Sequence, residues 1–417
     1  MNVIATTRPG ALAVPPGPRL ALILSAVIFA FYCWYVYSGA GEALYEWTKT
    51  WAPYSVRQYL GMSKRFLWQY GHVVFLFGLL VLSRYIFLSD RSLPLSGKVM
   101  DFAVRYSSVV FLCHFPILFF LAAVTPYNKD SVIQQIALLG TTLALCIAMG
   151  QICFAVKPAF DRWQRSLLAW ADRRFPRSDR VETATVPLKI TRSHSEFLNY
   201  VKVLAMFCVV LGHFSFNRLS TIHIPGFDGA APRFAVPAFF MISGYFLMMS
   251  IDRSRSGPMA LSIKRGFSLY YVIVPALVMT IILDRFGIPA NPQLYDFQDY
   301  YTLDTLQKPY APWEIGAAFT SSLAYMNSSW WFAFLGVQGD HGGMRAFSND
   351  PYWFMCYLIP FSILLIAGRL LHGPARWIAY VLWLVIYGIP ILLLTPLFLS
   401  GSLAYVIHKR WGVPSSE

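Results

Sequence analysis

Apolar runs of about 20 residues recur along the chain, and they constrain its fold more than any other feature. A helix needs about 20 mostly apolar residues to cross the hydrocarbon core of a bilayer. Only 13% of the 417 residues are charged, against about 25% in a soluble domain. The sequence therefore predicts an all-α integral membrane protein, because a helix satisfies its own backbone polar groups inside lipid.

About ten transmembrane helices in one bundle are predicted. Eight runs suit one crossing each and lie at about 20–38, 69–89, 106–124, 133–156, 197–216, 234–251, 267–284 and 352–369. The longer run 377–408 contains Pro390 and Pro396, which offer a break between two further spans. The first run also has the features of a cleaved signal peptide, but the many later spans favour an uncleaved first helix.

Basic residues cluster between the apolar runs, which is typical of cytoplasmic loops. The net charge of +14 is therefore read as a membrane signal, and no nucleic-acid partner is expected. The clearest basic segment is 157–196. It predicts a multi-pass protein of the cell inner membrane with both termini cytoplasmic and the segment 285–350 outside. The basic segment 39–67 disagrees and predicts either an amphipathic surface helix or an incorrect first span.

The stretch "FCVVLGHFSF" (207–216) places His213 inside an apolar helix pattern. Ionisable groups within a membrane are expensive and mark candidate functional sites. Lys202 lies eleven residues earlier, so both side chains share one helix face about 16 Å apart. An imidazole there suits proton or acyl transfer. Spacing alone leaves the alternatives open, since membrane histidines also bond neighbouring helices and terminal lysines snorkel.

These residues resemble the acyltransferase 3 family of membrane acyltransferases. The family pattern has Arg or Lys ten residues before a His, then Phe-Phe-x-x-Ser-Gly-Tyr/Phe, then a basic start to the third span. The matching residues here are Lys202, His213, Ser243, Gly244, Tyr245 and Arg265. The resemblance implies transfer of an acetyl or other short acyl group from cytoplasmic acyl-coenzyme A to an extracytoplasmic or lipid-linked glycan.

The order of the spans departs from the family. The stretch "RYSSVVFLCHFPILFFLA" (105–122) resembles a late family motif, with His114 on a matching position. We therefore predict a circular permutation with three parts: a membrane half 20–165 similar to the family C-terminal part, a basic cytoplasmic linker 166–196, and a membrane half 197–417 similar to the family N-terminal part.

Roles for the candidate residues follow from the resemblance and from their positions. His213 is the predicted catalytic residue, as general base or as carrier of an acyl-imidazole. Lys202 and Arg265 are predicted to contact the acyl-coenzyme A phosphates. Possible substrate-binding residues are Ser243, Tyr245, His114, Arg84, Trp313 and Glu314. For His114 and Arg84 a structural role is an open alternative, and for the outer aromatic and acidic residues the alternative is an ordinary interfacial belt.

The remaining predictions concern ligands and partners. The six cysteines lie in apolar runs without paired spacing, which predicts free thiols, no disulfide and no metal site. No permanently bound cofactor is expected; acyl-coenzyme A is a substrate. Expected partners are the glycan acceptor, membrane lipids and polysaccharide biosynthesis machinery. The rival hypothesis is an exporter of a polysaccharide or lipid-linked sugar without chemistry of its own, in which membrane His and Arg line a path.

Overall fold

The computed structural model describes residues 16–53, 56, 57, 60–90, 92, 93, 97–176, 188, 190–221, 231–295, 311–331 and 344–411, without the side chains of 61, 62 and 231–233. Within those ranges the regular structure is entirely helical. The helices are α1 (Pro18–Tyr37), α2 (Ala40–Trp51), α3 (Phe66–Ile86), α4 (Lys98–Val124), α5 (Val132–Arg174), α6 (Arg192–Phe214), α7 (Ala231–Arg253), α8 (Pro258–Phe267), α9 (Tyr270–Ala290), α10 (Pro312–Leu323), α11 (Trp353–Leu370), α12 (Gly373–Tyr387) and α13 (Ile389–Trp411).

The prediction of an all-α membrane protein is confirmed. In the described part of the chain, nine helical stretches are long and apolar enough to span a membrane. α12 is a further apolar helix of 15 residues. The predicted break in the run 377–408 lies at Gly388, two residues before Pro390, and its φ of 84° suits glycine. Pro396, the other proline that offered a break, lies inside α13. Pro390 falls in the first turn of α13, where a missing N–H costs little.

Two loop predictions have definite outcomes. The segment 40–51 forms the amphipathic helix α2, which buries Tyr45 and Thr48 and exposes Trp47 and Trp51. The basic segment after residue 156 begins as a continuation of α5, which runs through Pro158 to Arg174. Residues 166–174 of the predicted linker are therefore helical, and α6 already begins at Arg192. Residues 177–187 and 189 of this linker lie outside the described residues.

The two halves of the chain pack together in one bundle. α4 contacts α5, α6 and α9, and α13 contacts α7 and α3. α7 and α13 approach so closely that a Cβ on Gly401 would lie 1.7 Å from the Met241 carbonyl oxygen, and one on Gly244 2.0 Å from that of Phe398. The Gly of the Ser-Gly-Tyr stretch therefore permits helix packing, as small residues do in membrane bundles.

Basic residues lie where α7, α11 and α13 end, at Arg253, Arg369 and Lys409, and this end of the bundle is called the basic end below. Asp252, at the end of α7, accepts hydrogen bonds from Lys409 and from the Tyr405 hydroxyl. Arg369 of α11 lies 3.7 Å from the same carboxylate. These contacts place the ends of α7, α11 and α13 at one level. α6 packs against α7, and its start lies beside the end of α7, at the basic end. His213 is in the last turn of α6 and therefore lies at the opposite end of the bundle.

Candidate active site

His213 is held at the end of α6 that lies farthest from the basic end. The side chain of Thr191 caps the start of this helix by accepting a hydrogen bond from the His194 amide. His213 is 8% exposed. The rings of Phe115 and Phe216 stand edge-on to its imidazole, with centroids 5.0 and 5.5 Å away. Aromatic walls therefore hold the imidazole in one orientation and limit its contact with water.

His114 of α4 is the direct partner of His213. Its Nε2 atom lies 2.8 Å from Nδ1 of His213. The ring planes differ by only 14°, with centroids 5.1 Å apart. The two imidazoles therefore meet edge to edge through one hydrogen bond. The sequence left His114 open between a structural and a substrate-binding role, and the structure brings it to the predicted catalytic residue.

The direction of this hydrogen bond follows from a backbone carbonyl. Nδ1 of His114 lies 2.8 Å from the Val110 oxygen, which can only accept. Nδ1 of His114 is therefore the donor, and its Nε2 is an acceptor in the neutral ring. Nδ1 of His213 must then donate to that Nε2. The neutral His213 is left with an unprotonated Nε2, which is the atom that can take a proton or attack a carbonyl.

That Nε2 atom remains open to the surroundings. None of the described residues forms a hydrogen bond with this atom. The atom is also accessible and not sealed inside the protein. Two further features, a nearby carboxylate and the end of α6, stabilise the protonated form of His213. The Asp350 carboxylate lies close enough for its charge to act on both imidazoles. The carbonyl end of α6 also favours a cation in its last turn.

The turn that carries Asp350 is fixed to the helices around the histidines. Its neighbour Asn349 donates a hydrogen bond of 2.7 Å to the Leu112 carbonyl of α4. The Ser348 amide donates one of 2.9 Å to the buried carboxylate of Asp284 in α9. Sequence reasoning missed Asp284 as a site residue, although an acid inside the apolar stretch "TIILDRFG" is a signal for a buried polar role.

Lys202 and Arg265 face the same region of the bundle, nearer the basic end. The Lys202 ammonium lies 5.6 Å from the centroid of the Phe246 ring. The charges of Lys202 and Arg265 are close enough to interact. Arg265 donates a hydrogen bond of 3.0 Å to the Ser362 hydroxyl of α11. Both side chains are half-buried. Two neighbouring cations repel each other, and an anion between them removes that repulsion.

Arg84 and Tyr245 lie in a second polar cluster, away from His213. Tyr245 is fully buried, and its hydroxyl bonds Nδ1 of His408 at 2.9 Å. Nε2 of His408 donates to the Val81 carbonyl at 2.9 Å. Arg84 is 1% exposed, and its charge acts on His408 and on His194 at the start of α6. His194 and His408 were missed by sequence reasoning because neither shows a helical spacing to another candidate.

This geometry indicates that the second cluster joins helices. It links α3, α6, α7 and α13 at the basic end. His194 and His213 are 19 residues apart on α6, a rise of about 28 Å. Ser243 lies half-buried on α7 between the close contacts of Met241 and Gly244 with α13. Substrate binding by Ser243, Tyr245 and Arg84 remains a prediction.

Two outer candidates lie on α10. Trp313 is 70% exposed. The Glu314 carboxylate accepts a hydrogen bond of 2.6 Å from the Ala311 amide at the start of its own helix. Glu314 therefore stabilises the helix N-terminus, as a third-position acid commonly does. Three further acidic residues of this outer segment, Asp296, Asp299 and Asp304, lie outside the described residues.

We expect Glu314→Ala to destabilise the folded protein by about 1 kcal/mol, because the α10 N-terminus loses its cap. Glu314→Gln keeps a side-chain acceptor at that position and serves as the control. Thermal melting in detergent measures the difference between the two variants. A raised acceptor KM in Glu314→Gln, with unchanged melting, would instead assign this carboxylate to substrate binding.

The described residues contain no group of three or more His, Cys, Asp and Glu side chains placed to hold a metal ion. The six cysteines carry free thiols. The polar side chains described around the site are imidazoles, carboxylates and cations. His213 and His114 supply a proton acceptor, and Lys202 with Arg265 supplies positive charge nearer the basic end.

Comparison with known proteins identifies the family. A family model of the acyltransferase domain, acyltransferase 3, matches residues 195–413. No curated protein and no solved structure matches the chain. The match spans more than half of the sequence and includes Lys202, His213 and Arg265, whereas His114 lies before it. This chain belongs to the acyltransferase 3 family and is a multi-pass membrane acyltransferase.

Proposed function

We propose that this protein transfers an acetyl or other short acyl group from acyl-coenzyme A to a hydroxyl of a glycan. The observation that carries the proposal is the His213–His114 pair, which leaves Nε2 of His213 unprotonated and open. A neutral imidazole with an open nitrogen at an enclosed site suits general-base catalysis. It also suits nucleophilic catalysis through an acyl-imidazole.

In the general-base route, Nε2 of His213 takes the proton of the sugar hydroxyl as its oxygen attacks the thioester carbonyl. The C–S bond then breaks, and the leaving thiolate receives that proton from Nε2. In the acyl-imidazole route, Nε2 itself attacks the carbonyl, the C–S bond breaks and coenzyme A leaves as the thiolate. The sugar hydroxyl oxygen then attacks the acyl-imidazole, the bond from the acyl carbon to Nε2 breaks, and the hydroxyl proton passes to the thiolate. His114 and Asp350 stabilise the imidazolium of the first route, because one accepts from Nδ1–H and the other carries negative charge.

We infer that the acyl donor binds on the basic side of the site. Lys202 and Arg265 suit its phosphates, because phosphate binds Lys and Arg through charge-assisted hydrogen bonds. Lys202 and His213 are separated by about 16 Å along the axis of α6. Coenzyme A carries its thioester at the end of a long flexible arm. A donor held at the two cations can thus present its acyl group toward His213. The concentration of basic residues supports a cytoplasmic basic end in an inner membrane.

We infer that the acceptor binds at the opposite end. The exposed Trp313 of α10 supports a sugar-binding surface there, because an aromatic face packs against the apolar face of a sugar ring. A glycan exported across the membrane, or linked to a lipid in its outer leaflet, reaches this side. The polysaccharide biosynthesis machinery is the partner that would supply such a glycan.

Purified protein in nanodiscs tests this proposal. We expect acyl-coenzyme A to bind, and free thiol to form in proportion to acyl groups added to an exported glycan, both measured by mass spectrometry. Deletion of the gene should lower the O-acyl content of exported glycans. Binding of a glycan without any binding of coenzyme A would favour the exporter, which has no use for the thioester.

The Lys202→Ala variant should raise the KM for acyl-coenzyme A about tenfold, because one charge-assisted phosphate contact is lost. The KM for the glycan should change little. Lys202→Arg is the matched control and should remain near the parent, since it retains the cation. Steady-state kinetics with both substrates varied distinguish these outcomes. A change confined to the acceptor KM would contradict the placement of the donor at Lys202.

A further inference from the structure

A second basic site lies on the outside of the bundle and plays no part in the proposed reaction. It is a cavity of about 860 Å³ between α4, α5, the end of α8 and the start of α9. Its lining includes the cations Arg105, Lys157, Arg162, Arg165 and Lys264. Among the described residues that line it, Asp161 is the one carboxylate, and it pairs with Lys157 at 2.6 Å. The cavity therefore has an excess of positive charge.

Neighbouring groups hold two of these cations in place. The Arg105 guanidinium lies 4.4 Å from the centroid of the Phe154 ring. The Lys157 ammonium lies 5.3 Å from that of Tyr271. Gln164 of α5 also donates to the Lys264 carbonyl of α8. Because three helices are joined around the cavity, its charges are arranged before any ligand binds, which lowers the entropic cost of binding.

Apolar side chains beside the cavity face the lipid. Ile152 and Val156 of α5 are 56% and 45% exposed, and exposed apolar side chains on a spanning helix face acyl chains. Because α5 runs toward the basic end, these two residues lie between the cavity and the bilayer centre. Phe102 of α4 is 47% exposed and lies on the other side of the cavity, nearer the basic end, because α4 runs away from that end. A phosphate in the cavity would therefore sit above an apolar surface that faces acyl chains.

The position of Arg105 separates this cavity from the catalytic histidine. Arg105 and His114 are nine residues apart on α4, which places them about half a turn apart, on opposite faces of the helix. His114 faces His213 on α6, whereas Arg105 faces Phe154 on α5. The body of α4 thus stands between the cavity and Nε2 of His213. A coenzyme A nucleotide bound in the cavity could not deliver its thioester directly.

We propose that this cavity binds the phosphate headgroup of an anionic phospholipid in the leaflet at the basic end. Clusters of Lys and Arg between helices at this level recognise such headgroups through charge and hydrogen bonds. Four of the five cations lie on α4 and α5, before residue 195, so the site lies mainly outside the acyltransferase match. The bound lipid would fasten α5 to α4 and α8 at the membrane surface.

The test compares two double variants of the full chain. Arg162→Ala with Arg165→Ala removes two cations from the cavity. Arg173→Ala with Arg174→Ala removes two exposed cations farther along the same helix, outside the cavity lining. Each protein is placed in mixed micelles with equal phosphatidylglycerol and phosphatidylcholine, and native mass spectrometry counts the retained lipid. We expect the cavity variant to lose phosphatidylglycerol affinity about tenfold, with the control near the parent.

Two outcomes would overturn the proposal. Equal loss in both double variants would show that phosphatidylglycerol responds only to overall surface charge. A cavity variant with unchanged phosphatidylglycerol retention, but weaker coenzyme A binding in phosphatidylcholine nanodiscs, would assign the cations to the acyl donor. The His213→Ala protein should retain phosphatidylglycerol like the parent, so failure of the catalytic assignment leaves this test intact.

Discussion

Replacement of His213 by alanine is expected to lower the rate of acyl transfer by about 10²–10⁴-fold, the usual contribution of a general base. Nε2 of His213 is the atom that accepts the hydroxyl proton or the acyl group, and alanine supplies neither. In the variant Nε2 of His114 loses its hydrogen-bond donor, but it lies a hydrogen bond and a whole imidazole ring away from the position of Nε2 of His213, so it cannot take that atom's place. The measurement is the initial rate of glycan acylation by purified variant in nanodiscs.

The control for this variant is His372→Ala, which removes an exposed histidine at the start of α12. It should retain the parent rate. Coenzyme A binding should be preserved in His213→Ala, because Lys202 and Arg265 lie nearer the basic end, and this preserved binding shows that the protein is folded. Near-normal turnover in a His213→Ala protein that still binds coenzyme A would remove His213 from the chemistry.

Much of this fold follows from hydropathy alone. The length of each apolar run predicts a membrane-spanning helix, because inside lipid the backbone N–H and C=O groups can form hydrogen bonds only within the helix itself. Helix ends are harder to predict, since they depend on single residues. The end of α12 required a glycine with positive φ, whereas proline looked like the breaker in the sequence. α5 continues through Pro158 because Lys157–Asp161 and other contacts one turn apart support its polar extension.

The site was predicted only in part. Helical spacing placed Lys202 and His213 on one face, because both lie on the same helix. The His213–His114 contact joins residues 99 positions apart, and no local pattern predicts which side chains meet between helices. The same limit applies to Asp350, which lies in the turn just before α11. The Ser-Gly-Tyr stretch was a clear motif, yet its glycine is explained by the backbone contact with α13.

The circular permutation stays a proposal that this arrangement supports. The acyltransferase match covers residues 195–413 and leaves α1 to α5 outside it. Even so, α4 supplies His114 to the site and packs against α6 and α9 within one bundle. An added N-terminal domain would be expected to pack beside a complete site. A helix that completes the site from outside the match is what a displaced C-terminal half would provide.

The His114→Leu variant should slow acyl transfer by about 10–100-fold while leaving donor binding intact. His114 is a positioning residue that acts through His213. Its Nδ1–H is committed to the Val110 carbonyl, so its Nε2 must accept from Nδ1 of His213. Leucine cannot accept, and the proton of His213 then moves to Nε2, which is no longer a base. Partners that fix a metal-bound imidazole are worth about 10–100-fold, and we expect the same order here.

The matched variant is His114→Gln, whose side-chain oxygen can accept the same hydrogen bond. We expect it to recover most of the rate lost in His114→Leu, although both remove the imidazole. A purely structural role would give a different pattern, in which rate follows thermal stability in both variants. Equal rates in two variants of equal stability would show that the tautomer of His213 does not depend on His114. Recovery specific to glutamine would show that it does, because the acceptor is the one property that glutamine restores and leucine lacks.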